Sequence, residues 1–413
     1  MARTVHRAKY VLAEPDRLLE NAAVQVTGSG RISSVAPWKG PSVRPPGVDW
    51  GSAVILPGLV NAHTHLELTS LRNKLTRFSS FTDWISQLVS LRRLWTSEDF
   101  QASVNEGAGA CLSSGTTTIG DIRASAAWID AGGGNRLRRF VFKEILSLQP
   151  AESDELLREL KALLDQADSS LLVKHGISPH APYTVSPELY RRAAEFARLQ
   201  GRILATHVAE TRAELQFLQN GTGEFRDFLG ALGNLPDDWR PPGLAPIPYL
   251  DSLGVLGRNC LLIHCNYLDA ESMARILKAR SSVVYCPRSH DFFGHENHPV
   301  RQLLDLGINV ALGTDSLASN SSLSLIDEMR FLFKKRKDIK SGEIFRAATV
   351  NGAAALNHGG SLGRLRRSYQ ADMTVLEVPQ NVNARHLQSQ ILEGAGDCVA
   401  TIVQGHIAWQ KIS

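Results

Sequence analysis

Apolar positions change period along the chain, and the change divides it into a middle and two ends. Residues 1–57 alternate like strands. Ala22–Val26 and Arg31–Val35 flank Thr27-Gly28-Ser29-Gly30 and read as a hairpin. The other end does the same: Asp372–Leu376 reads as a strand, and Ala400–Val403 and His406–Trp409 as a hairpin about Gln404-Gly405. Neither end has enough apolar residues for a core of its own, so the two are expected to pair into one small β-sandwich. Between them, short β-rich runs alternate with helical patterns, the mark of repeated βα units on a parallel sheet. Eight strands are expected to end near His65, Asp121, Glu144, His180, His207, His264, Pro287 and Asp315, with helices at 98–114, 152–167, 186–200, 269–280 and 322–337 among those separating them. This predicts an α/β chain: a TIM-like (β/α)8 barrel over 58–364, with a small β-sandwich built from both termini, 1–57 and 365–413. A chain of 413 residues suits a barrel with a smaller second unit. One long insertion, 219–250, follows the fifth strand. A loop of that length at a barrel mouth either covers the site or makes a dimer contact.

Composition narrows the partners. Lys and Arg total 45 against 41 Asp and Glu, a net charge of +4 that is too small and dispersed to suggest nucleic acid. The one basic run, Lys334–Lys337, closes an amphipathic helix and reads as a solvated helix end. The five cysteines are odd in number and widely spaced, which suits reduced core thiols in a cytoplasm. The first residues lack an apolar signal core and no run approaches a membrane span. The expected partner is a small molecule, with neither nucleic acid nor membrane involved.

The candidate chemistry starts at Leu56-Pro57-Gly58-Leu59-Val60-Asn61-Ala62-His63-Thr64-His65. Residues two apart on a strand share a face, so His63 and His65 aim two imidazoles at one point, an arrangement that suits a divalent metal. Later strands end in His207, with Glu210 three residues on, in His264, and in Gly313-Thr314-Asp315. Each feature alone has a structural reading, as a core histidine, a solvated loop charge or a helix cap. Together they place four histidines, an aspartate and a glutamate on the rim of one barrel.

With these residues in place the chain resembles the amidohydrolase superfamily, and in particular its single-metal aminohydrolase branch. The resemblance implies that His63, His65, His207 and Asp315 bind one divalent transition metal per chain, with zinc first and iron or manganese also accepted by such ligands. It implies that His264 hydrogen-bonds the reacting water or the substrate. Lys174 falls upstream of its strand end, so the carboxylated-lysine bridge of two-metal relatives is not expected. A divalent ion lowers the pKa of bound water and Asp315 can accept its proton, and the resemblance implies that Glu210 protonates a ring nitrogen as ammonia departs. The other zinc deaminase class is excluded, because its His-x-Glu and Pro-Cys-x-x-Cys motif is missing.

Finer likenesses concern the substrate. Ser178-Pro179-His180-Ala181-Pro182-Tyr183-Thr184, Cys286–His290 and Gly313–Asn320 look like segments of S-adenosylhomocysteine and methylthioadenosine deaminases. His65-Leu66-Glu67-Leu68 and Phe81-Thr82-Asp83-Trp84 look more like aminodeoxyfutalosine deaminases of menaquinone synthesis. Expected substrate contacts are His180, Glu67, Asp83, Ser319 and His290, although Glu67 could equally form a salt bridge and Asp83 a helix start. His290, His295 and His298 cluster in sequence, but the first site is already complete without them. A homodimer is common among such relatives. Other hydrolyses stay open: of another ring substituent as in triazine chlorohydrolases, of a cyclic amide as in imidazolonepropionase, or of guanine or cytosine. A non-enzymatic relative of the dihydropyrimidinase type would have lost metal ligands that are present here.

Overall fold

Eight parallel strands, curled into a barrel, and a separate sheet made from the two chain ends compose the computed structural model, which describes residues 4–40, 47–75, 77–125, 135–167 and 170–412. The N-terminal strands are β1 (Thr4–Glu14), β2 (Arg17–Val26), β3 (Ile32–Pro37), β4 (Gly47–Asp49) and β5 (Ala53–Pro57). The barrel is β6 (Leu59–Thr64), β7 (Thr116–Arg123), β8 (Arg138–Ile145), β9 (Val173–Pro179), β10 (Leu204–Val208), β11 (Cys260–His264), β12 (Ser282–Tyr285) and β13 (Val310–Leu312). The C-terminal strands are β14 (Met373–Glu377), β15 (Asp397–Val403) and β16 (His406–Gln410).

The two ends of the chain do pair. They form one mixed sheet in the order β16-β15-β14-β5-β1-β2-β3, with β4 on β1. The joint is β5, which β14 meets antiparallel from Met373 opposite Pro57 to Glu377 opposite Ala53. Alternation along β5 explains its place. Val54 and Leu56 join the large core, while Ala53 and Ile55 pack within the terminal sheet. The chain then crosses into the barrel at Gly58, where any Cβ would lie 2.2 Å from Thr117 Oγ1.

The barrel strands are short and buried on both faces. Every residue of β6, β7, β10, β11, β12 and β13 is buried. Near-continuous apolar runs of this kind belong to parallel sheets covered by helices. Val60, Ala62, Phe140, Ala205, Ile263 and Val284 are among the side chains that fill the interior. The strands run in chain order from β6 to β13, and a parallel bridge from Thr64 to Asp315 brings the last strand back to the first. Capping residues start the surrounding helices: Thr96 forms a capping box with Asp99, and Ser186 and Asp269 each accept a backbone N–H of the first turn.

Inside the 219–250 insertion the chain forms the helix Glu224–Ala231, and a second helix, Pro246–Ser252, follows. No helix among the described residues is long and apolar enough to cross a membrane.

Candidate metal and active site

Three strand ends bring four side chains to one point. His207 continues the inward face of Ala205 on β10, His63 lies on β6, His65 follows it, and Asp315 follows β13. Ligand atoms of His63, His65 and His207 all lie within 4.8 Å of one another, as do those of His63, His264 and Asp315. His65 Nε2 stands 3.3 Å from His207 Nε2. Asp315 Oδ1 is 3.5 Å from His63 Nε2 and 3.9 Å from His65 Nε2. Gly313 makes this approach possible, because a Cβ there would meet His63 Cβ at 3.0 Å and Val284 Cγ1 at 2.9 Å.

These residues fit a divalent cation. Both nitrogens of His63 are buried without a hydrogen-bond partner among the described residues. Burial, and then the neighbouring His63, hold the His65 and His207 imidazoles well below their ordinary pKa, in the neutral form that can donate a lone pair. Partners behind the ligands orient them, as metal sites require. The carbonyl of His180 lies 3.0 Å from His207 Nδ1. Ser289 Oγ and Ser319 Oγ donate to Asp315 Oδ2 at 2.7 and 2.8 Å, which leaves Oδ1 facing the histidines. Asp121 accepts the Leu66 N–H at 2.9 Å and fixes the turn that follows His65. The backbone is left-handed at Ala209, His264 and Asp315, with φ of 52°, 73° and 57°. Such strain at three strand ends of one rim is the kind that persists where a site needs it.

Glu210 stands beside this cluster. Its side chain is buried, and Oε1 lies 3.4 Å from His264 Nε2. Burial first, then the nearby Asp315 and Glu214 carboxylates, push its pKa well above the ordinary range, which favours the protonated acid. The loop that carries it is pinned. Glu214 accepts the N–H groups of Ala209 and Glu210 at 3.0 and 2.8 Å, and Asn266 donates to the Glu210 carbonyl at 2.9 Å.

A cavity of about 400 Å³ opens above these groups. His65, Glu67, Glu144, His180, Glu210, His264 and Asp315 line it, with an apolar wall that includes Phe81, Trp84, Leu88, Phe228 and Leu229. Its size is that of a small-molecule site. A smaller cavity of about 220 Å³ adjoins it, sharing Leu146, Thr184, Leu229 and Asn234 and adding Ser147, Gln149 and Glu152.

The expected substrate contacts fare differently. His180 lines the cavity. Glu67 does too, but both its oxygens are engaged, by Arg92 at 3.0 Å and by the N–H groups of Ala124 and Ser125 at 3.1 Å each. The salt-bridge alternative is therefore the one the structure contains. Asp83 is not brought to the cavity: its carboxylate accepts from Ser79 and Gln87 at the start of the helix Phe81–Arg92, where Ser80 is the cap. Ser319 stands behind Asp315 rather than on the cavity surface. His290 packs against Tyr285, His295 and His298, also off the cavity.

The structure also brings in residues not expected from the sequence. Glu144, at an anticipated strand end, faces the cavity; burial, then Glu67, raises its pKa to about 7. Phe228, Leu229 and Leu232 come from the insertion, which thus covers the site. Phe225, Phe228, Leu229 and Leu232 have the i, i+3, i+4, i+7 spacing of an amphipathic helix, a signal present in the sequence.

Comparison with known proteins agrees with this architecture. Residues 54–408 match the model of the amidohydrolase family. A 5-methylthioadenosine/S-adenosylhomocysteine deaminase from Pyrococcus furiosus is 28% identical over 393 residues, spanning 91% of this chain and 84% of the relative. The crystal structure of an adenosine deaminase from Xanthomonas campestris with bound zinc superposes with a TM-score of 0.83 at 25% identity, covering 98% of this chain and 92% of the other. Helicobacter pylori aminofutalosine deaminase, in complex with methylthio-coformycin, shares the fold with a TM-score of 0.85 at 22% identity over 98% and 99% of the two chains.

Proposed function

The chain belongs to the amidohydrolase family, and from that premise we propose that it is a metal-dependent hydrolytic deaminase of a 6-aminopurine nucleoside carrying a 5′-substituent. The observation that carries this reading is Glu210, a buried carboxyl held 3.4 Å from His264 beside the histidine–aspartate cluster. Protonation of a ring nitrogen next to an amino-bearing carbon needs an acid at that place, and Glu210 is positioned to supply one. The deaminase activity named for the Pyrococcus furiosus relative supports the same reading. Within the group, the His65–Leu68 and Phe81–Trp84 segments tilt the choice toward an aminodeoxyfutalosine-like substrate.

His63, His65, His207 and Asp315 would hold one ion, zinc first, with iron and manganese also suited to these donors. When bound there, a divalent ion supplies hydroxide at neutral pH. Glu210 delivers its proton to the ring nitrogen adjacent to the carbon under attack. Asp315 takes a proton at Oδ1 from the attacking water and returns it to the amine, which leaves as ammonia, while the added hydroxyl gives its remaining proton back to Glu210 and becomes the oxo group. Ser289 and Ser319 hold Oδ2 so that Oδ1 stays in place for both transfers. His264 Nε2 keeps Glu210 and the reacting carbon in register, and Phe81, Trp84 and Phe228 exclude bulk water from the ring.

The test is kcat/KM for ammonia release from 5′-substituted adenosines, an aminodeoxyfutalosine, free adenine, guanine, cytosine and an aminated triazine. A 5′-substituted nucleoside should exceed every free base by a wide margin, because a site built to pair ribose groups is left with unpaired polar atoms by a bare ring. Preference for a free base or a triazine would reject the nucleoside reading.

A further inference from the structure

We infer that Glu328 is a positioning residue for the proposed reaction: it locks together the two loops whose serine hydroxyls hold Asp315. This rests on the role given to Asp315 above and adds what keeps that carboxylate aimed. Glu328 lies in the first turn of the helix Leu325–Lys335, away from the cavity lining, and is fully buried. A buried carboxyl carries a desolvation penalty that an apolar side chain of similar size would not.

Its two oxygens show what it is kept for. Oε2 accepts the backbone N–H of Arg288 at 3.0 Å, and Oε1 accepts the Asn320 amide at 2.6 Å. Each partner stands one residue from a serine that holds Asp315. Arg288 is the second residue of the helix Pro287–Phe292, and its N–H is one of the first-turn donors that find no acceptor within a helix. The next residue, Ser289, donates to Asp315 Oδ2 at 2.7 Å. Asn320 follows Ser319, which donates to the same oxygen at 2.8 Å. The Asn320 amide also donates to the carbonyl of Thr314 at 2.8 Å, next to Asp315 itself.

One carboxyl thus spans the loop after β12 and the loop after β13, and both loops bring a hydroxyl to one oxygen. The left-handed backbone of Asp315, at φ 57°, is a conformation that persists only where the surroundings over-determine it. Burial raises the Glu328 pKa to about 8, against the pull of the Arg288 N–H and the Asn320 amide. The carboxylate accepts both N–H groups most strongly, whereas a neutral amide in its place would accept only one.

The competing use of Glu328 is to stabilise the fold alone, and the experiment separates the two. Glu328→Gln, the double variant Ser289→Ala with Ser319→Ala, and all three changes combined are compared with wild type above the pH at which Glu328 ionises. Leu332→Ala, at a buried position of the same helix, gives a destabilised protein with the clamp intact. The readouts are zinc affinity by chelator competition, melting temperature, and kcat and KM on whichever of the compounds named above releases most ammonia. Glu328→Gln should bind zinc about 10-fold more weakly and lose about 10-fold in kcat, the lower end of the effect of a residue behind a metal ligand, with KM little changed. In the chain already lacking both hydroxyls the same change should cost about 3-fold at most, because the groups it acts through are gone. Leu332→Ala should melt earlier with zinc affinity and kcat unchanged. A Glu328→Gln protein that melts earlier yet keeps zinc affinity and kcat, or that loses the same factor with and without the two serines, would overturn the clamp. If wild type releases ammonia from none of the compounds, the proposed function falls, and zinc affinity alone still decides on the clamp.

Discussion

His65, His207 and Asp315 make the floor of the cavity, with His63 beside them, and they stand at the ends of buried strands, where hydrogen-bonded partners hold His207 and Asp315 from behind. The wall is built otherwise. It rises on Phe81–Arg92 and on the inserted helix Glu224–Ala231, two surface elements tied to each other by the Thr82 hydroxyl, which donates to Glu224 at 3.0 Å. Floor residues point where strand geometry sends them, and a change of one atom there displaces others in a close-packed interior. Wall residues point where loops and helices happen to dock. The floor thus fixes the class of reaction, and the wall fixes which molecule undergoes it.

That division can be broken by mutation, and the floor should give the larger effects. Replacing His207 by Ala should strip most of the metal and bring turnover to background, as measured by elemental analysis and ammonia release. Retention of both would dissolve the proposed ligand set. Glu210→Gln should keep the metal and the fold yet lose roughly 10²-fold or more in kcat, the scale of a general acid–base term. Wild-type kcat should also fall as pH rises through the elevated pKa of Glu210, since only its protonated form can act as the acid. That alkaline limb should vanish in the Gln variant. If turnover is unchanged, Glu210 is a bystander.

Changes in the wall should be smaller and selective. Leu229→Ala, which removes a side chain that lines both cavities, should lower kcat/KM for 5′-substituted nucleosides by about 10-fold and for adenosine itself less, a pocket-filling effect. Equal losses on both would mean that Leu229 supports the fold and does not read the substituent. Asp83→Asn should be the mildest. It weakens a helix start outside the cavity, so a small drop in melting temperature is expected with kcat/KM unchanged. A large, substrate-dependent loss would bring Asp83 back into the site.

The same contrast explains what could be read from the sequence. Strand ends are marked by short apolar runs that stop at a polar residue, so the barrel, its rim and the convergence of His63, His65, His207, His264 and Asp315 followed from period and spacing. Glu210 was visible three residues after His207, but its position alone allowed a solvated loop charge, and the resemblance to aminohydrolases singled it out. Wall contacts depend on tertiary docking, which spacing does not encode. Asp83 lies three residues after Ser80, a capping pattern that competes with any ribose contact, and in the structure the cap prevails. Glu67 meets Arg92 only because the helix Phe81–Arg92 folds back over the turn after β6. Glu144 stood at an expected strand end, but a lone glutamate beside Lys143 gave no reason to choose it over a solvated pair.

The central claim is that four side chains share one ion on which the chemistry depends. It is tested most directly by removing metal from the purified wild-type chain under stringent chelation, then restoring zinc, iron or manganese in known amounts while following ammonia release from a 5′-substituted adenosine. Activity should disappear with the metal and return in proportion to added ion, reaching its plateau at about one per chain. Full activity in the metal-free protein would contradict it.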